Sequence, residues 1–91
     1  MAQGRVPRIA YFQGISIFMH HSEHFPPHFH AEYQGAIAQV RITDGRLITG
    51  NLPRPQRRRI RDWTRAHTEA LLLNWARARR HEELFPIDAE A

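Results

Sequence analysis

Three short turn signals, Gln13-Gly14, Gln34-Gly35 and Asp44-Gly45, divide the first half of the chain into segments that pair most readily with their neighbours. Glycine supplies the positive φ that a tight hairpin needs, and Asp-Gly is the strongest signal among these pairs. The segments between them alternate apolar and polar residues, which predicts strands near 8–12, 15–20, 28–33, 36–43 and 46–50. A His- and Pro-rich loop joins the second and third, and an X-Pro bond at Pro26-Pro27 is a candidate for the cis form.

Turn length sets register. Counting outward from Gln34-Gly35, Tyr33 faces Ala36, Ala31 faces Ala38 and Phe29 faces Val40. That side is wholly apolar, and Ile42 and Leu47 extend it. The other side places His28 opposite Arg41, His30 opposite Gln39 and Glu32 opposite Ile37. The period of two thus separates a core face from a polar face that is expected to be wet.

After Leu52-Pro53 the period changes. Ile60, Trp63, His67, Ala70, Leu71, Asn74 and Trp75 recur at steps of three and four, predicting an amphipathic helix over about 54–80. Pro53 and Pro55 suit its first turn. Thr68-Glu69 offers an alternative start for a second helix. His67 is expected in the core, and His81 near the helix end reads as a favourable C-terminal charge. The apolar run Leu84-Phe85-Pro86-Ile87 in the tail 82–91 is expected either to fold back on the core or to dock a partner. The fold class expected is α+β: one domain, an antiparallel meander of four to five strands with a long C-terminal helix packed on one face. A chain of this size buries only about 60% of its unfolded surface, which makes a homo-oligomer or a protein partner plausible.

Five of the seven histidines fall between His20 and His30. Imidazole titrates near neutral pH and is the commonest metal ligand, so this is where chemistry is expected. One reading is catalytic and metal-independent: His28 and His30 as general base and acid on RNA, with Arg41 stabilising phosphate charge. A second is a metal site for zinc or another divalent ion, built from His28, His30 and Glu32 with His24 or His20 from the loop. A third is structural, with the histidines bonding carbonyls of the proline turn.

The chain holds 13 basic residues, all arginine, against nine acids, giving a net charge of +4 and a pI near 11.0. Such a balance favours an anionic partner, RNA, DNA or an acidic protein. Six of the arginines lie within Arg54–Arg65, and Arg54, Arg58, Arg61 and Arg65 form a stripe opposite the tryptophans that would welcome phosphate. The same stripe is also what a merely solvated helix face looks like. The tail and this stripe together suggest a further reading as a protein-interaction module. With no cysteine, disulfides and thiolate metal sites are excluded. No apolar run approaches the roughly 18 residues of a membrane span, and the N-terminus lacks a secretory apolar block, so a cytoplasmic location is expected.

The succession Tyr11-Phe12-Gln13-Gly14-Ile15, His24-Phe25-Pro26-Pro27-His28-Phe29-His30-Ala31-Glu32-Tyr33, Leu52-Pro53 and Trp63…His67…Glu69…Leu72…Trp75 resembles a small bacterial family, domain of unknown function 4160. The family motif maps onto His24, Pro26, Pro27, His28 and His30, with Glu23 where Asp is usual. The resemblance implies a cytoplasmic bacterial protein encoded beside another small protein, an arrangement like that of toxin–antitoxin pairs. It implies no settled activity.

Overall fold

The computed structural model describes residues 6–21 and 24–87; Glu23 of the motif and the end of the expected tail lie outside the described residues. Five strands, β1 (Arg8–Phe12), β2 (Ile15–Phe18), β3 (His28–Tyr33), β4 (Ala36–Arg41) and β5 (Leu47–Gly50), precede two helices, α1 (Arg54–Ala66) and α2 (Thr68–Arg79). The strands form one antiparallel sheet in the order β1-β2-β3-β4-β5, a simple meander.

The two Gln-Gly turns behave as expected. Gln13, Gly14, Gln34 and Gly35 all have positive φ, the backbone of tight turns whose twist matches the flanking strands. Register follows from them: Tyr33 pairs with Ala36, Phe29 with Val40, His28 with Arg41, His30 with Gln39 and Glu32 with Ile37. The Asp44-Gly45 connection is wider than a two-residue hairpin. Ile42 carries the β3–β4 register one step further by donating to the Pro27 carbonyl at 3.0 Å, while β5 begins only at Leu47, paired with Val40. Asp44 holds this wider turn by accepting from the Arg46 amide at 3.0 Å.

One side of the sheet carries Ile15, Ile17, Phe29, Ala31, Ala38 and Val40, all essentially inaccessible to water. Ile60 and Trp63 of α1 complete this core, with the Trp63 ring 5.1 Å from Phe12 and 5.9 Å, edge on, from Phe29. Each buried Ile, Val or Phe among them contributes about 1.5–3 kcal/mol.

In place of a single long helix over 54–80 there are two, divided at His67 (φ −125°, ψ 25°), and the second begins at Thr68, the alternative start. The cause is local. Thr64 Oγ1 donates to the Ile60 carbonyl at 2.7 Å, Thr68 Oγ1 to the Thr64 carbonyl at 2.9 Å, and His67 Nδ1 to the Trp63 carbonyl at 2.9 Å. Side chains that bond carbonyls one turn back bend helices, and three do so within one turn here. His67 is accordingly half-buried, its ring against Trp63, rather than a core residue. His81 lies just past α2, stacked on His21 at 5.9 Å.

The tail folds back. The Ile87 amide donates to the Ile9 carbonyl at 2.8 Å, and Leu84 and Ile87 pack against the core. The buried Asn74 side chain fixes the backbone of Phe85, donating to its carbonyl at 2.8 Å and accepting from its amide at 3.0 Å.

Candidate nucleic-acid interface

The alternation along β3 places His28 and His30 on the sheet side opposite Phe29, as the turn-based register requires. The environment of that side differs from the expected open, wet surface. His28 is only 4% exposed: Trp75 of α2 lies 5.3 Å from its ring, and its Nδ1 donates to the Pro26 carbonyl at 2.8 Å. Trp75, on α2 beyond the break at His67, reaches the start of β3. The Phe25-Pro26 bond is cis.

His30 is half-buried and stacks on His28 at 5.5 Å, nearly parallel, while His20 lies 3.9 Å on its other side. His24 stands 6.5 Å from His28. Four imidazoles therefore run in a row, His24, His28, His30 and His20, and His20 is a member that strand alternation alone did not single out. Only His28 and His30 are stacked; His20 and His24 are tilted against them. Among the described residues no group of three or more His, Asp or Glu side chains could hold a metal ion, and the expected set of His24, His28, His30 and Glu32 is not gathered as one.

Arg41 does not reach out from its place opposite His28. Its guanidinium clasps Asp44, Nε at 3.1 and 3.2 Å from the two carboxylate oxygens and Nη2 at 2.8 Å. This pairing, with the Arg46 amide, holds the Asp44 carboxyl down at about 2, and donating to Asp44 raises Arg41 further above its ordinary value. The expected trio His28, His30 and Arg41 is thus brought into neighbouring register, but one ring is sealed under Trp75 and the arginine is committed to a carboxylate.

The arginines of α1 form a better-defined site. Gln56, Ile60, Trp63 and Thr64 are its buried residues, which turns Arg54, Arg57, Arg58 and Arg65 outward and leaves Arg61 half-buried. The tip of the β4–β5 connection approaches this face closely at Gly45. With φ +73°, a Cβ there would lie 3.0 Å from the Arg61 Cα. Between tip and helix lies an open cleft of about 610 Å³, lined by Gly45, Arg46, Leu47, Arg54, Arg57, Arg58 and Arg61. No acidic side chain lines it. A second hollow of about 290 Å³ is lined by Arg54, Pro55, Arg58 and Arg59.

Electrostatics make the cleft unusual for a helix start. The N-terminal end of a helix is its positive pole, normally offset by an acidic or hydroxyl residue. Here Pro53 occupies the cap position with no side-chain cap, and the first turn has no acid. Arg61 Nε is buried without an acceptor among the described residues. Of the stripe expected from periodicity, Arg54, Arg58 and Arg61 line the cleft, and Arg65 lies beyond it. Arg46 and Arg57 are additional members. Helical spacing alone had no means of finding Arg46, whose position depends on the hairpin folding against the helix.

No helix among the described residues is long and apolar enough to cross a membrane. No curated protein matches the chain, and no solved structure does. A family model does match, over residues 14–76, a span that holds the His-Phe-Pro-Pro-His-Phe-His segment, the five-arginine cleft and the helix break. On that match the chain belongs to the family described as Domain of unknown function (DUF4160).

Proposed function

We propose that this protein is a nucleic-acid-associated protein that grips the phosphate backbone of RNA or DNA in the cleft between α1 and the β4–β5 connection. The observation that carries the reading is the lining of that cleft: five arginines, no acid, and an uncapped helix start. Arginine presents a rigid fork of donors matched to phosphate oxygens, and an accumulated positive field with no acid in the lining favours a polyanion. Arg65 and Arg59 extend the attraction along the backbone without lining the cleft.

Binding is favoured over cleavage. A phosphodiester substrate has little access to His28, and Arg41 is held by Asp44. A metal-independent ribonuclease in this fold would have to work through His30 and His20 instead. The family resemblance supports a bacterial cytoplasmic setting and a second small protein encoded alongside, which fits a toxin–antitoxin-like pair with this chain as the nucleic-acid-contacting half.

The test is fluorescence anisotropy with labelled single- and double-stranded RNA and DNA oligonucleotides across a salt series. A phosphate grip predicts a linear fall of log K with log salt, with a slope near −0.7 to −0.9 per phosphate contacted. Arg57→Ala and Arg58→Ala are each expected to reduce that slope by about one. Absence of binding at low salt, or a slope unchanged in both variants, would remove the reading.

A further inference from the structure

We propose that the arginine cleft receives the end of a nucleic-acid strand and seats its terminal phosphate monoester on Arg61. This rests on the phosphate-binding reading above and narrows it from a backbone to a strand end.

The cleft has two walls. Arg54, Arg57, Arg58 and Arg61 stand at steps of three, one and three along α1, so one helix face carries all four over about 10 Å. Arg46 and Leu47 form the facing wall, where the β4–β5 connection runs into β5. The walls meet at one end. Gly45 is buried against Arg61, whose Cα, carbonyl oxygen and Cγ lie 3.0, 3.1 and 3.2 Å from where a Gly45 Cβ would stand. The cleft is therefore closed at Arg61. A continuous backbone cannot run through a closed end, whereas a strand terminus can enter and stop there.

A donor sits at that closed end. Arg61 Nε is buried with no acceptor among the described residues, and Arg61 belongs to the cleft lining. Buried donors are nearly always bonded, so one in the wall of a basic cleft calls for an anionic acceptor. Asp44, the acid of the connection, already accepts from the Arg41 guanidinium and the Arg46 amide, and it is not in the lining.

The density of guanidinium forks also favours a terminus. A mid-strand phosphodiester carries a single negative charge, whereas a terminal monoester carries about −1.5 to −2 near neutral pH and offers three strong acceptor oxygens. Five forks around one cleft suit the monoester better, because each fork is built to engage a pair of oxygens. The rest of the strand has a path outward. Arg54 and Arg58 are shared with the adjoining hollow, where Arg59 joins them, so the basic surface continues beyond the cleft.

The experiment is fluorescence anisotropy with one internally labelled single-stranded oligonucleotide, prepared with hydroxyls at both ends, with a 5′ phosphate or with a 3′ phosphate. One phosphate-ended form should bind about tenfold tighter than the hydroxyl-ended form, the worth of one added charge-assisted hydrogen bond. The form that gains identifies which end enters. In Arg61→Lys, which keeps the charge and loses the fork, the ratio of the two affinities should fall to near one. Arg46→Ala, exposed on the facing wall and free of any packing role, should lower the ratio as well. Arg65→Ala, outside the cleft, should weaken all forms alike and leave the ratio as it was. Equal affinity for phosphate- and hydroxyl-ended strands overturns the inference and leaves the backbone grip standing. So does a ratio untouched by both Arg61→Lys and Arg46→Ala, or a free mononucleotide that binds as tightly as the phosphate-ended strand. Failure of every oligonucleotide to bind at low salt is a different result, and removes the backbone grip too.

Discussion

The Asp44 carboxylate accepts from the Arg41 guanidinium and from the Arg46 amide, and its depressed pKa of about 2 is the measurable sign of that clasp. A folded pKa below the unfolded one means the stabilising contribution is present above about pH 4 and is lost as pH falls toward 2. A carboxyl-detected NMR titration is expected to find Asp44 at about 2 in the wild type, returning toward the ordinary carboxylate range in Arg41→Ala. A wild-type value near 4 would show that the clasp is not made in solution. The burial of His28 has a separate consequence. His28→Ala removes a donor from the Pro26 carbonyl and a ring from Trp75, and is expected to cost about 1–3 kcal/mol in chemical denaturation. Phe29→Ala, deeper in the core, should cost about 3–5 kcal/mol. A neutral His28 variant would place that ring in solvent after all.

Hairpins and helices differ in how far local residues determine them. The Gln34-Gly35 turn and its flanking alternation were enough to assign every β3–β4 partner, because a side-chain period of two admits no intermediate register. The Asp44-Gly45 connection was read too tightly, since an Asp side chain bonding Arg41 and Arg46 reshapes the loop. The helical segment left two readings open, one helix or a second start at Thr68-Glu69, and the second is the one formed. Its apolar spacing runs unbroken through His67, and only the hydroxyl and imidazole back-bonds of Thr64, His67 and Thr68 interrupt it. The burial of His28 depends on where α2 sets Trp75 against β3, which helical spacing did not fix. Gly45 tests the approach of hairpin to helix. Gly45→Ala places a methyl against Arg61 in a left-handed backbone, and is expected to cost about 1–2 kcal/mol, read by thermal melting. It should also weaken oligonucleotide binding by spreading the cleft, whereas Gly35→Ala, with open space at its Cβ, should leave binding unchanged.

Across the whole molecule, the arginine cleft sets stability against function. Like charges crowded at the positive pole of α1 oppose folding, and dissolved ions relieve that opposition because the groups are exposed. The melting temperature is therefore expected to rise between about 10 mM and about 150 mM salt, where the screening length shortens to roughly 8 Å. Arg58→Ala should melt higher than wild type at the lower salt and show a smaller rise. A melting temperature independent of salt in both proteins would argue against stored repulsion. The same chain also has to keep its sheet from joining others. At the far edge from the cleft, β1 is the last strand of the sheet, and Ile87 crosses it to meet the Ile9 carbonyl. That final crossing works as a sheath. Clip the protein after Phe85 and a naked ribbon of Ile9, Ala10 and Tyr11 is left to recruit its own kind, so the trimmed form should nucleate fibrils that the intact one avoids.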